Sequence, residues 1–149
     1  NETISRITNT LNPEMADSVI QLGDPDALLK VHDHLQQGYL IGILGDRVIS
    51  RNKTALCKVL GADAMLPTGP MLIASALKTP VILFFGIYNG GNSYDIYFEA
   101  FADRVKVDRK QRQRDLHDWT QKYADRLTYH AQHSPYNWFN FYDFWEYDD

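Results

Sequence analysis

The sequence predicts an α/β domain with a mixed, mostly parallel sheet and helices on both faces. Three observations lead there. Residues 39–44, YLIGIL, are a nearly unbroken apolar run, the pattern of a strand buried on both faces. Residues 81–88, VILFFGIY, repeat that pattern. Between them Met71 to Leu77 is apolar nearly all round, which predicts a buried helix. Strand, helix, strand is the βαβ arrangement, so 39–44 and 81–88 become the central strands.

A chain of 149 residues suits one domain, 1–149, and its 44% hydrophobic content is enough for a core. The formal net charge of −4 argues against a nucleic-acid binder, whose footprint is a strongly basic face. The single cysteine, Cys57, rules out an internal disulfide framework and a cysteine-rich zinc site, and reads as a small buried hydrophobe. No apolar run approaches the roughly 20 residues needed to span a bilayer, and no signal-peptide pattern opens the chain.

Residues 1–11 are ambiguous. Asn12-Pro13-Glu14 reads as a helix start, with Asn as cap, Pro at the first helical position and Glu at the positive end of the dipole. Gly23 closes that helix. Asp24-Pro25-Asp26 opens a second one that ends near Gln37, with Gly38 as its stop. Leu28, His32 and Leu35 share one of its faces. His32 and His34 point to different sides of a helix, so they do not form a metal site.

The strand 39–44 runs into Gly45-Asp46-Arg47, with Arg51 and Lys53 close behind. Ligands of open α/β sheets bind at the carboxyl ends of such strands. Asp46, Arg47, Arg51 and Lys53 are therefore candidate binding residues, and an arginine offers phosphate or carboxylate a bidentate fork. A solvated charged turn at a strand end would have the same sequence. Residues 54–66 have loose helical spacing at Leu56, Val59 and Leu60, broken at Gly61. Pro67-Thr68-Gly69-Pro70 opens the buried helix, whose N-terminus adds Thr68 and Gly69 as candidate anion-binding positions.

Pro80 ends that helix. After 81–88, Asn89-Gly90-Gly91-Asn92 is a tight-turn signal. Residues 94–101 then alternate, with Tyr94, Ile96, Phe98 and Ala100 on one face and Asp95, Tyr97, Glu99 and Phe101 on the other, predicting an antiparallel partner of 81–88. Arg104, Lys106, Arg109, Lys110, Arg112 and Arg114 form a basic run that leads into a long helix to about His133. The run suits a solvated helix face or a contact with anionic lipid headgroups. Leu116, Trp119, Tyr123, Leu127 and His130 recur along the helix. The aromatic segment from Pro135 to Trp145 suits core packing of a terminal helix or a lipid-facing rim.

The usual dinucleotide, nucleoside-triphosphate and serine-hydrolase signatures are absent from the sequence. GILGDR, then LGADAMLPTGPMLIASALKTPVILFF, then KYADRLTYHAQHSPYNWFNFYDFW, taken in that order, resemble the C-terminal half of the bacterial lipid A biosynthesis acyltransferases, within the lysophospholipid acyltransferase superfamily. The resemblance covers about Asn12 to Trp145.

It implies transfer of an acyl group from an acyl-carrier-protein or acyl-CoA thioester to a hydroxyl of a membrane glycolipid, at the cytoplasmic face of the bacterial inner membrane, with no cofactor or metal. It also implies that Asp46 and Arg47 occupy the family's acceptor-binding motif. The family's general base is the His of a His-x4-Asp or His-x4-Glu motif. The residues five positions after this chain's histidines are Gln37, Tyr39, Lys122, Pro135 and Trp138, none acidic. The expectation is therefore the C-terminal part of a larger acyltransferase domain, soluble and inactive alone, with no catalytic residue in this chain. The alternative is a non-catalytic lipid-binding or scaffolding domain of the same fold.

Overall fold

The computed structural model describes residues 19–20, 25–48 and 53–145. The chain divides into two compact units, residues 1–42 and 43–149. The helix expected from Asn12 and the candidate Arg51 lie outside the described residues.

In the first unit, helix α1 spans Ala27–Gln36. Lys30 pairs with Asp26 one turn earlier at 3.0 Å. Gly38 takes φ +85° just beyond the end, and the Tyr39 amide returns to the His34 carbonyl at 3.0 Å, so the helix stops where the glycine predicts. The buried positions are Ala27 and Val31, whereas Leu28 is exposed. The helix thus turns a different stripe inward than the one drawn through Leu28, His32 and Leu35.

Residues 39–44 form no strand. Leu40 is 92% exposed and Leu44 72%. An apolar run becomes a strand only when a neighbour takes up its amides and carbonyls, and no described strand pairs with it. The mixed α/β class holds, but both sheets in the described residues are two-stranded and antiparallel, so the expected parallel sheet centred on 39–44 and 81–88 is not there.

The second unit begins with hairpin β1 (Thr54–Val59) and β2 (Ala62–Pro67). This corrects the helical reading of 54–66. The turn explains the difference: Leu60 and Gly61 both have positive φ, +53° and +87°, as a two-residue type I′ connection requires. Cys57, Val59, Ala64 and Leu66 then point to one side and form a core with Ala124, Leu127 and Phe144. Helix α2 (Gly69–Leu77) follows, with Pro70 in its first turn and Lys78 left-handed at its end. It buries Met71 and Ala74 against Val105 and Leu116 and leaves its other residues partly accessible.

Strands β3 (Val81–Gly90) and β4 (Ser93–Ala102) pair as expected. The pairs Ile82 with Ala100, Phe84 with Phe98 and Tyr88 with Tyr94 share one face. That face is bare: Phe84 is 60% exposed and Phe98 72%. The expectation of a strand buried on both faces is therefore corrected. The covered face carries Leu83, Phe85, Tyr97 and Glu99, and three of these reach helix α3 (Arg112–His133) through His130 or Arg126. Glu99 accepts two hydrogen bonds from Arg126, at 2.7 and 2.8 Å, and lies 2.7 Å from His130 Nε2. His130 stacks on Phe85 at 3.9 Å between ring centroids. The carboxylate reaches the covered face because a bidentate guanidinium satisfies it.

Helix α3 buries Leu116, Thr120, Ala124, Leu127 and Ala131. The terminal aromatic segment is not the expected helix. A short 3₁₀ turn at Pro135–Asn137 gives way to irregular chain. Phe144 is buried, while Tyr136 and Phe141 stand almost fully exposed.

Candidate functional site

Asp46 and Arg47 lie in the second unit, on the segment leading to β1. Gly45 sets their position. A Cβ there would sit 2.8 Å from Cζ and 2.9 Å from the hydroxyl of Tyr123, so glycine lets the turn lie against α3 without displacing that ring.

The rest of the cradle comes from the aromatic tail. Tyr142 donates its hydroxyl to the Asp46 carbonyl at 3.1 Å. Trp138 Nε1 points to Asp46 Oδ2 at 3.5 Å. Arg47 reaches the Phe139 carbonyl at 3.5 Å, and its guanidinium lies over the Tyr142 ring, 5.2 Å from the centroid. Asp46 Oδ1 is 3.7 Å from Arg47 Nε. The Asp46 side chain is largely covered, while the Arg47 side chain is 42% exposed. The arrangement holds the acid in place and offers the cation outward.

Both phenols keep their protons at neutral pH. Burial, and then the Asp46 charge, push the Tyr123 hydroxyl well above its ordinary value. Burial also raises Tyr142, with Arg47 opposing and Asp46 assisting. At neutral pH the Tyr142 proton is therefore present to hold the Asp46 carbonyl.

Lys53, Thr68 and Gly69 form a separate group. The Lys53 carbonyl accepts the Thr68 amide at 2.9 Å and the Thr68 hydroxyl at 3.1 Å. Thr68 is buried, and its hydroxyl proton closes the open end of the β1–β2 hairpin. A Cβ on Gly69 would meet nothing within 4 Å, so no close backbone approach demands glycine there. No hydrogen bond or ion pair joins this group to Asp46 and Arg47 among the described residues.

The sequence reading missed the role of Trp138, Phe139 and Tyr142. Their density was visible, but nothing local linked them to a turn more than ninety residues earlier. A third feature is an exposed basic stretch at the start of α3, made of Arg109, Lys110, Arg112 and Arg114 with Gln111 and Gln113. No described helix is long and apolar enough to cross a membrane.

Residues 6–146 match the model of the bacterial lipid A biosynthesis acyltransferase family. No curated protein and no solved structure matches the chain. With almost its whole length matched, the chain belongs to the bacterial lipid A biosynthesis acyltransferase family.

Proposed function

We propose that this chain is the acceptor-binding part of an acyltransferase that moves a fatty acyl group from an acyl-carrier-protein or acyl-CoA thioester to a hydroxyl of a membrane glycolipid. The observation that carries this reading is Arg47, a half-exposed guanidinium fixed beside a covered carboxylate and an aromatic ring. It suits an anionic group on the acceptor headgroup, such as a phosphate. In the reaction the acceptor oxygen attacks the thioester carbonyl carbon, its proton passes to a general base, and the carbon–sulfur bond breaks to release the thiol. None of the five histidines has an acid five positions on, so this reading assigns the base to a segment other than these residues.

The bare face of β3–β4 supports that view. Ile82, Phe84, Ile96 and Phe98 form an exposed apolar surface of the kind that another part of an α/β domain covers. Arg51, Lys53, Thr68 and Gly69 remain proposed contributors to the acceptor region, Thr68 by holding Lys53 in place, since its amide and hydroxyl are both given to the Lys53 carbonyl. The exposed cationic stretch from Arg109 to Arg114 suits the anionic membrane surface at the cytoplasmic face of the inner membrane.

The lack of a His-x4-acid motif favours a second reading, a non-catalytic lipid-binding domain. One experiment addresses both. The 149-residue chain is incubated with labelled acyl-carrier-protein and a phosphorylated glycolipid in detergent, and turnover and glycolipid binding are followed. The expected result is no turnover above a boiled control, with binding that Arg47→Ala weakens by about 10- to 150-fold. Turnover by the chain alone would refute the division of labour. Undiminished binding by a folded Arg47→Ala variant would refute the acceptor site. The general base separates the two readings: a gene encoding His-x4-Asp or His-x4-Glu upstream of Asn1 supports the enzyme, and a natural start codon at or just before Asn1 the binding domain.

A further inference from the structure

We propose that Tyr142 is a positioning residue for Arg47, holding the guanidinium in the one orientation that meets an acceptor anion. The inference rests on the acceptor-binding reading of Arg47 and goes beyond it by assigning a role to the aromatic tail.

Three contacts carry it. The Tyr142 hydroxyl holds the Asp46 carbonyl at 3.1 Å, which fixes the peptide linking Asp46 to Arg47. The Tyr142 ring lies beneath the guanidinium at 5.2 Å. The neighbouring Phe139 carbonyl is 3.5 Å from one terminal nitrogen of Arg47. One terminal nitrogen is thus turned to the tail and Nε to Asp46 at 3.7 Å, and with the side chain 42% exposed part of the fork stays open to an anion.

A free arginine on an irregular segment would lose much of its affinity to rotamer disorder; a ring beneath it and a fixed peptide behind it remove that loss. Tyr142 is itself 46% exposed and leans on the core at one edge, its ring 6.1 Å from that of buried Phe144. Phe144 in turn packs edge-on against Trp138 at 4.8 Å. The tail is therefore a bracket anchored in the core beside α3, with Tyr142 as its outer arm. Tyr142 touches no reacting atom in this scheme.

The test uses the full 149-residue chain with inorganic phosphate as probe and chloride at matched ionic strength as control. The Arg47 Nε–H resonance is followed by NMR for both its shift and its picosecond–nanosecond order. In the unsubstituted chain the resonance is ordered and shifts saturably with phosphate. Tyr142→Phe keeps the ring and loses the hydroxyl; it should weaken phosphate binding about 2- to 5-fold. Tyr142→Ala should weaken it about 5- to 20-fold and free the Arg47 side chain even without phosphate. Tyr142→Trp, which restores a ring beneath the cation, should recover most of the order lost in Tyr142→Ala.

An Arg47 that stays equally ordered in a folded Tyr142→Ala variant overturns the proposal. So does unchanged phosphate affinity in that variant when Arg47→Ala abolishes binding. If phosphate fails to shift Arg47 in the unsubstituted chain, the acceptor reading falls. The order measurement then decides the positioning role alone. Should Tyr142→Ala unfold the tail, the Tyr142→Phe and Tyr142→Trp pair supplies the comparison.

Discussion

Replacing Glu99 by Gln removes the charge that draws Arg126 and His130 to the covered face of β3–β4. The hydrogen bonds from Arg126, and then the contact with His130, hold the Glu99 carboxyl down from its ordinary 4.5 to about 2. At about 1.4 kcal/mol per pH unit, that gap sets a ceiling of about 3 kcal/mol. The Glu99 side chain is 25% exposed and that of Arg126 38%, so solvent screening brings the expected contribution to about 1–2 kcal/mol.

The sign follows from the depressed value. The stabilisation is fully present above about pH 4.5 and is lost as pH falls toward about 2, because the unfolded chain takes up the proton first. Urea melts of the unsubstituted chain and of Glu99→Gln, run from pH 6 to pH 2, read this directly. The difference between the two should be about 1–2 kcal/mol at pH 6 and shrink through the acid range. Other carboxylates titrate in both proteins and cancel in that difference. A Glu99→Gln variant as stable as the parent at pH 6, or a difference that stays constant down to pH 2, would refute the account.

Gly45→Ala drives a methyl to 2.8 Å from the Tyr123 ring, so it should cost about 1–3 kcal/mol in a thermal or urea melt and displace the Arg47 resonances. Leu60→Asn relieves a leucine held at φ +53° in the β1–β2 turn and should stabilise by about 0.5–1 kcal/mol in the same melts. Burial, and then the Asp125 charge, push the Cys57 thiol up to about 11. Native protein at pH 8 should therefore resist iodoacetamide while urea-unfolded protein reacts fully, as mass spectrometry would report. Phe98→Ser, on the bare sheet face, should change the melting midpoint little, because the side chain is already 72% exposed.

What the sequence determined by itself was whatever depends on neighbours in the chain. The β3–β4 hairpin was legible because strict alternation from Tyr94 to Phe101 and the Asn-Gly-Gly-Asn turn carry their own geometry. The ends of α1 and α3 were legible from Gly38 and from the helical spacing that runs out near His133. Asp46 and Arg47 could be singled out because charge following an apolar run is a local contrast.

Tertiary structure decided what depends on distant partners. Residues 39–44 have a strand's composition and no ladder, because the hydrogen-bonding partner is not part of the pattern. Residues 54–66 read as a weak helix, until a leucine in left-handed geometry at position 60 folds them back as a hairpin on α3. The sheet face that α3 covers is the one bearing Glu99, since Arg126 and His130 satisfy the carboxylate there. Periodicity marks two faces without saying which will be covered. Likewise, only the fold joins Tyr142 to Asp46, because a hydrogen bond spanning ninety-six residues leaves no local trace in either segment.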